Sequence, residues 1–236
     1  LQEGEKVTLM LQQKAGVDED NTYATMVTKQ GLIKRTPLSQ FRNIRKMGLI
    51  AIALNEGDSL VWSHLTKGDD EIIVATHDGA AIRFTEDGAR SMGRTGHGVR
   101  VIKLREGDYV VGAARAQEGK EVLTITEKGY GKRTPIEEYR ITNRGGLGIR
   151  NYMVTDKTGC VVGMKMVDGT EDLLLVTEAG ILIRTPVENI RVAGRATQGV
   201  IVMRFKEEGD HVISMALADP EEKDETAETP ETEETV

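Results

Sequence analysis

Arginine recurs at fixed offsets along this sequence of 236 residues. The offsets are counted from one glycine in each of four similar segments, Gly31, Gly79, Gly129 and Gly180. The first arginine column, four residues after the glycine, contains Arg35, Arg83, Arg133 and Arg184. The second column, eleven residues after it, contains Arg42, Arg90, Arg140 and Arg191. The third column, fourteen or fifteen residues after it, contains Arg45, Arg94, Arg144 and Arg195.

Phosphate binding is the chemistry that these columns favour, since the planar guanidinium fork can donate two hydrogen bonds to a phosphate group. The second and third columns lie in one loop of each repeat, among small residues whose backbone N–H groups can also approach phosphates. A loop that recurs once per structural unit spaces its cations regularly, which suits a periodic polyanion. The loops lack the aromatic residues expected of single-strand binders. We therefore predict that both loop columns, together with Lys46, contact the backbone of duplex DNA.

The first column lies in a predicted strand, and two roles are open for it. One role is contact with DNA. The other is structural, with each arginine bound to backbone carbonyls or to a nearby acid. Lys34 and Lys132, which directly precede Arg35 and Arg133, are included among the predicted DNA contacts.

The same glycines define an internal repeat. They are 48, 50 and 51 residues apart, and each follows a threonine by three residues. One repeat contains four strand-like runs, 71–76, 80–84, 99–104 and 109–114, which are rich in β-branched residues and bounded by turn residues. Four strands in about fifty residues are typical of a propeller-like blade. The sequence therefore predicts an all-β fold of four-stranded antiparallel blades near 23–66, 71–115, 121–166 and 172–217, with 1–14 as a remnant strand of a preceding blade.

The charge of the chain is unevenly distributed. Its net charge is −7, but the last eighteen residues contain nine acidic side chains and one basic side chain, so the remainder is close to neutral. This tail, 219–236, has almost no large apolar residue and is predicted to be disordered. Two hypotheses are open for it: competition with DNA for the arginine loops, or a solubilising terminus.

Other kinds of site find little support in the sequence. The single cysteine, Cys160, excludes an intramolecular disulfide and is typical of a reducing compartment. No apolar run is long enough to predict a membrane span. The four histidines show no metal-ligand spacing and no catalytic set is clustered, so we expect no metal, no cofactor and no catalytic residue in this chain. The tyrosines are predicted to pack or to lie on the rim rather than to act as nucleophiles.

Several segments resemble the C-terminal region of DNA gyrase A subunits. The resemblance covers residues 1 to about 218, and the segments that carry it include TEKGYGKRTP (126–135), FRNIR (41–45), RSMGR (90–94) and GRATQGV (194–200). It implies a β-pinwheel, a six-bladed propeller variant in which blades exchange strands. About four full blades and part of another are expected in this chain.

The resemblance also implies a function. Duplex DNA would bend around the rim of the domain, so that gyrase introduces negative supercoils with ATP bound on its partner B subunit. The expected partners are double-stranded DNA, the N-terminal region of gyrase A, and the gyrase B subunit. ATP and Mg²⁺ would be used elsewhere in the assembled enzyme. A bacterial, cytoplasmic and nucleoid-associated location is expected, with this chain monomeric and away from membranes.

One departure from the family pattern leaves alternatives open. The glycine-rich box of the family, Gln-Arg-Arg-Gly-Gly-Lys-Gly, belongs to a blade that this sequence lacks, and its nearest match is Thr142–Gly148. We interpret that segment as the equivalent loop of a later blade. The nearest alternative is the C-terminal domain of the topoisomerase IV A subunit, which is related to gyrase A. A protein-binding propeller and an enzyme with a site in the central channel are the other two, and the sequence offers no clustered catalytic set for the last.

Overall fold

Strands, turns and short 3-10 helices make up the computed structural model, which describes residues 7–12, 16–43, 47–207 and 209–220. The prediction of an all-β fold is confirmed. The strands are β1 Tyr23–Thr28, β2 Leu32–Pro37, β3 Leu60–Thr66, β4 Glu71–Thr76, β5 Ala80–Thr85, β6 Val99–Arg100, β7 Val110–Arg115, β8 Glu121–Thr126, β9 Tyr130–Pro135, β10 Ile149–Arg150, β11 Val161–Val167, β12 Asp172–Thr177, β13 Leu182–Pro186, β14 Val200–Ile201 and β15 Val212–Ala218. The 3-10 helices are Leu38–Phe41, Glu86–Gly88, Ile136–Glu138 and Val187–Asn189. No helix in these described ranges is long enough to cross a membrane.

Strands from two different repeats build each of the first three sheets. The strand orders are β3-β1-β2-β6, β10-β5-β4-β7 and β11-β8-β9-β14, with antiparallel pairing throughout. Three strands of each sheet come from one repeat, and the outermost strand comes from the next repeat. The implied exchange of strands between blades is thereby confirmed. The run 99–104 forms only the two-residue β6, which belongs to the preceding blade rather than to its own.

The two ends of the chain depart from this pattern. In the described residues, the last sheet, β13-β12-β15, has three strands, because no strand of a following repeat pairs with β13. Residues 7–12 form no strand, so the remnant strand predicted at 1–14 is wrong for these residues, while 1–6 and 13–15 lie outside the described ranges. The physical reason is that a strand needs a sheet edge with which to pair. No sheet precedes the first blade within the described ranges.

The hydrophobic core lies between adjacent blades rather than within one sheet. One buried cluster joins Val27 and Ile33 of the first blade to Ile72 and Val74 of the second, and two further clusters join the second blade to the third and the third to the fourth. Both faces of a blade are covered as a result, and the central strands β4 and β8 are buried at five of their six positions. The inner strands β3, β7, β11 and β15 contact one another in succession.

A long loop leads to each exchanged strand along the outside of the preceding blade. We call the loops 90–98, 140–148 and 191–199 the rim loops, and they end at β6, β10 and β14. Each is attached to the second strand of the preceding blade by a backbone hydrogen bond: Met92 N to Arg35 O (2.9 Å), Thr142 N to Arg83 O (2.8 Å) and Ala193 N to Arg133 O (2.8 Å). Strand exchange therefore fixes the loops that carry the second and third arginine columns on the outer edge.

The glycine at the end of a rim loop provides a test of this attachment. Gly148 has a φ of +72°, and a Cβ atom there would lie 2.5 Å from the backbone oxygen of Ala81. Gly107, in a turn with a φ of +78°, has no atom within 4 Å of the corresponding position. We expect Gly148→Ala to lower the free energy of unfolding by about 1–3 kcal/mol more than Gly107→Ala, because both add backbone strain but only Gly148→Ala adds steric overlap. Urea denaturation measures both variants, and equal losses would contradict the close contact with Ala81.

Candidate nucleic-acid interface

Three members of the first arginine column, Arg35, Arg83 and Arg133, are turned into the fold, while Arg184 in the last blade is exposed. Arg133, with 13% of its side chain exposed, donates to the Ile190 carbonyl oxygen (2.7 Å) and to the Glu121 carboxylate (2.7 Å). The other members make similar contacts: Arg35 with the carbonyl oxygens of Ala89 and Gly68 and with Glu86, Arg83 with the carbonyl oxygens of Ile136 and Tyr139 and with Glu71, and Arg184 with Asp172. Of the two roles left open by the sequence, this geometry supports the structural one.

Lys34 and Lys132 are fully buried, which removes them from the candidate DNA contacts. Lys132 Nζ donates to the carbonyl oxygens of Gly194 (2.7 Å) and Arg195 (2.5 Å). Lys34 Nζ makes the corresponding hydrogen bond to the carbonyl oxygen of Arg94. An ammonium group without access to solvent must find acceptors within the protein, and the rim loops supply them. Sequence reasoning grouped these lysines with the surface cations because burial cannot be deduced from residue type alone.

Arg94, Arg144 and Arg195 of the third column are half-buried, and each bonds to a backbone carbonyl of the preceding repeat. The hydrogen bonds run from Arg94 Nη1 to Ile50 O (3.1 Å), from Arg144 Nη1 to Arg100 O (3.0 Å) and from Arg195 Nη1 to Arg150 O (2.7 Å). The three acceptors occupy equivalent positions in the repeat that precedes each arginine. Part of each guanidinium group is therefore engaged in holding the rim together, which makes this column only a partial candidate for DNA contact.

The second column is exposed. Arg90, Arg140 and Arg191 lie at the start of the three rim loops, and none forms a side-chain hydrogen bond or ion pair with another described residue. The first member, Arg42, is also exposed but pairs with the carboxylates of Glu19 and Asp20. Arg45 and Lys46, also predicted as DNA contacts, lie outside the described residues. Three cations of this column are thus left available to an external anion.

Two further arginines, which the column analysis missed, lie on the same edge. Arg100 on β6 and Arg150 on β10 are exposed, and each directly follows a rim loop on an exchanged strand. Both lie 21 residues after the reference glycine of their repeat. The three columns do not include this offset, because only two of the four repeats have arginine at it. Their position on the outer edge could not be inferred before the strand exchange was known.

Four acids of the body pair with the first column. Each first-column arginine faces one carboxylate, and these are Glu86, Glu71, Glu121 and Asp172 for Arg35, Arg83, Arg133 and Arg184. No carboxylate among the described residues pairs with Arg90, Arg140 or Arg191. Within the described residues, the charges of these three arginines are therefore not neutralised by a paired carboxylate.

The side of the blades away from the rim loops offers no metal site in the described residues. No group of three or more His, Cys, Asp or Glu side chains in the described part of the chain could hold a metal ion. A cavity of about 370 Å³ beside the inner strands is lined by valine and isoleucine side chains together with Lys29, His77, Tyr109, Glu127 and His211. The rings of His77 and Tyr109 stack at 4.5 Å. Tyr139 and Tyr152 are buried, in agreement with a packing role, and burial raises the pKa of both phenols.

Known proteins share this arrangement of blades. The family described as DNA gyrase C-terminal domain, beta-propeller, matches residues 23–67, 70–117, 120–168 and 171–219, one segment for each blade. The chain belongs to the DNA gyrase C-terminal domain family. Its sequence is 59% identical over 203 residues to the DNA gyrase A protein of Halalkalibacterium halodurans, covering 86% of this chain and 24% of that protein. It is 39% identical over 225 residues to the DNA gyrase A protein of Salmonella typhimurium, covering 95% of this chain and 25% of that protein.

Solved structures agree with the family assignment. The C-terminal domain of a DNA topoisomerase IV matches with a TM-score of 0.80 and 27% identity, over 86% of this chain and 64% of that one. A DNA gyrase A C-terminal domain matches with a TM-score of 0.75 and 28% identity, over 84% of this chain and 66% of that one. This gyrase-family chain spans about a quarter of the length of the curated relatives that it matches.

The different environments of two arginine columns predict different effects on stability. Arg133→Met would leave the Glu121 carboxylate without its buried partner, and we expect the free energy of unfolding to fall by about 3 kcal/mol. Arg191→Met removes an exposed side chain, and we expect a change within about 0.5 kcal/mol. Urea denaturation of the two variants measures this contrast. Similar losses for both would contradict the separation of the columns into buried and exposed sets.

The buried lysines predict a pH dependence of stability. Burial lowers the pKa of Lys132 from 10.5 to about 8, with the Arg195 charge acting in the same direction and Glu138 opposing it. Between these two pH values the unfolded chain binds more protons at this lysine than the folded chain, so stability should rise with pH. We expect the free energy of unfolding of the wild type to increase relative to Lys132→Met between pH 8 and pH 10. Urea denaturation across that range measures the difference, and a constant difference would show an unshifted lysine.

Proposed function

We propose that this chain binds duplex DNA along its outer edge and bends it, as the C-terminal domain of a DNA gyrase A protein. The observation that carries the proposal is the exposed guanidinium group at the start of each rim loop, on Arg90, Arg140 and Arg191, which has no partner among the described residues. Arg100 and Arg150 extend the same edge after the first two rim loops, and the half-buried Arg94, Arg144 and Arg195 lie within the loops. One equivalent group of cations per blade suits the regular phosphate spacing of a duplex.

Bending sets the energetic requirement for such a surface. Curving a site of 20–30 base pairs costs on the order of 1–6 kcal/mol, which several phosphate contacts can offset. Phosphate contacts position a duplex without specifying its bases, so sequence preference should be weak and should follow the bendability of the DNA. The rim loops offer no aromatic side chain for stacking on single-stranded bases, which favours a duplex.

The role within a whole enzyme is inferred from the relatives, which are DNA gyrase A proteins. In that role the chain contributes DNA bending to ATP-dependent negative supercoiling, together with the N-terminal region of gyrase A and with gyrase B. ATP and Mg²⁺ act elsewhere in the assembly, in the bacterial cytoplasm at the nucleoid, and this chain supplies no catalytic residue. Competition of the acidic tail with DNA stays a prediction, since residues 221–236 lie outside the described ranges.

Topoisomerase IV is the second candidate, favoured by the TM-score of 0.80 to its C-terminal domain. The 59% identity to a gyrase A protein supports the first candidate over it. The two are distinguished by joining the chain to the remainder of a gyrase A protein, adding gyrase B, and assaying both relaxed plasmid and catenated DNA circles. Negative supercoiling with ATP supports gyrase, whereas decatenation without supercoiling supports topoisomerase IV.

The salt dependence of DNA binding tests the exposed column. Replacement of Arg90, Arg140 and Arg191 together by glutamine removes three phosphate contacts, and each contact contributes about 0.9 to the slope of log affinity against log salt concentration. We expect the magnitude of the slope to fall by about 2.7, with weaker binding at low salt and little change in stability. Gel-shift or fluorescence titrations of a duplex of about 40 base pairs at several salt concentrations measure the slope.

A matched control removes positive charge from elsewhere on the surface. Lys67 and Lys165 are exposed but lie outside the rim loops, so Lys67→Gln combined with Lys165→Gln should leave the slope nearly unchanged. Equal slopes for the triple variant and the wild type would overturn the proposal. Binding that is insensitive to salt in the wild type would instead favour a protein-binding propeller.

A further inference from the structure

In two rim loops, the peptide group that follows the third-column arginine contacts a buried lysine through its carbonyl oxygen. The carbonyl oxygens of Arg94 and Arg195 accept hydrogen bonds from the buried ammonium groups of Lys34 and Lys132. Because no peptide bond is cis, the N–H group of the next residue points away from the carbonyl oxygen and therefore away from the buried lysine. The next residues are Thr95 and Ala196, and both are exposed.

These two N–H groups lack an acceptor within the described part of the chain. The backbone and side-chain hydrogen bonds of the loops include none from Thr95 N or Ala196 N. In the third rim loop, the N–H group of Arg195, one residue before Ala196, does have an acceptor: it donates to the Glu138 carboxylate (3.0 Å). An exposed backbone donor beside basic side chains is the arrangement in which proteins bind phosphate oxygens.

The middle rim loop shows the opposite arrangement. There the N–H group of Gly145, which follows Arg144, donates inward to the carbonyl oxygen of Val101 (2.6 Å). Gly145 has a φ of +83°, so the backbone turns differently from the other two loops. The position of the buried lysine is taken in that blade by Ile82, which has no hydrogen bond to offer the loop. The direction of the peptide N–H group in the loop and the residue type at this strand position therefore change together.

The lysine accounts for the difference in physical terms. A buried ammonium group must donate to acceptors, and Lys132 Nζ reaches Gly194 O (2.7 Å) and Thr197 Oγ1 (3.3 Å) in addition to Arg195 O. Lys34 Nζ similarly reaches Ala51 O (2.5 Å). Satisfying the ammonium group turns these carbonyl oxygens inward. In the blade with isoleucine no such requirement exists, and the peptide is free to turn its N–H inward instead.

We infer that the backbone N–H groups of Thr95 and Ala196 each bind a phosphate oxygen of duplex DNA, and that Lys34 and Lys132 are the positioning residues that turn them outward. The inference rests on the proposed function, since it assumes that DNA follows the rim. A phosphate site of this kind is expected on the first and third rim loops but not on the middle loop. The buried lysines thereby act on DNA binding without touching DNA.

Backbone amide resonances test the inference directly. We would record ¹H–¹⁵N spectra of the whole chain at low salt during titration with a short duplex. The amide signals of Thr95 and Ala196 should shift with the DNA, while that of Gly145 should stay nearly constant. In Lys132→Met the shift of Ala196 should be lost and that of Thr95 retained, so that one loop serves as the internal control for the other. Lys34→Met should give the reverse result.

A structural control uses the blade that lacks the lysine. Ile82→Met changes the equivalent strand position without altering a charge, and it should leave the responses of Thr95 and Ala196 unchanged. Resonances of the fourth blade report whether each variant is folded. Should Lys132→Met be unfolded, Lys34→Met tests the same claim at the other loop.

The outcomes separate the inference from the proposed function. Binding of the duplex without a response of Thr95 and Ala196 would overturn the phosphate sites and leave the proposed function intact. A response of Ala196 that persists in Lys132→Met would overturn the positioning role of the lysine. Absence of any DNA binding, in this titration and in gel shifts alike, would overturn the proposed function itself.

Discussion

The antiparallel pairing of each short exchanged strand with the preceding blade is the interaction on which the outer edge depends. An unpaired sheet edge exposes backbone donors and acceptors, and β6, β10 and β14 satisfy them in the first three blades. Each is only two residues long, so the pairing alone is weak. Backbone hydrogen bonds from the rim loops and guanidinium contacts to successive outer strands strengthen it. The loop that precedes each exchanged strand has no alternative path but along the outside of the neighbouring blade.

Burial then sorts chemically identical side chains into different roles. The same guanidinium group is buried or half-buried against carbonyls and a carboxylate in three members of the first column, half-buried against carbonyls in the third, and exposed in the second. A cation removed from water requires compensating partners, whereas an exposed one does not. Four acids of the blades are consequently paired with the first column, and the charges of Arg90, Arg140 and Arg191 have no paired carboxylate among the described residues. A chain body with little net charge can therefore present a basic edge.

The repeat explains why the surface suits a long, uniform ligand. Each blade provides a similar loop at a similar place, so the spacing of cations follows the spacing of blades rather than any feature of a base sequence. The loops are nevertheless not identical, since Lys34 and Lys132 alternate with Ile82 and Ile183 at one strand position. This alternation changes the direction of a single peptide group in the loop above it. A buried residue can in this way set the direction of a backbone donor on the surface that we propose for DNA.

The sequence alone determined the all-β fold, the length of the repeat and the loops that carry the exposed arginines. Those features follow from local chemistry, because turn glycines, β-branched runs and residue offsets are visible in one dimension. Only the tertiary structure decided that the segment 99–104 serves the preceding blade and that residues 7–12 form no strand. It also decided that Arg133 faces Glu121 while Arg191 faces solvent, and that Lys132 is buried beneath the loop. The reason is that pairing and burial depend on which segments become neighbours after strand exchange. The type of a residue does not show which segments those are.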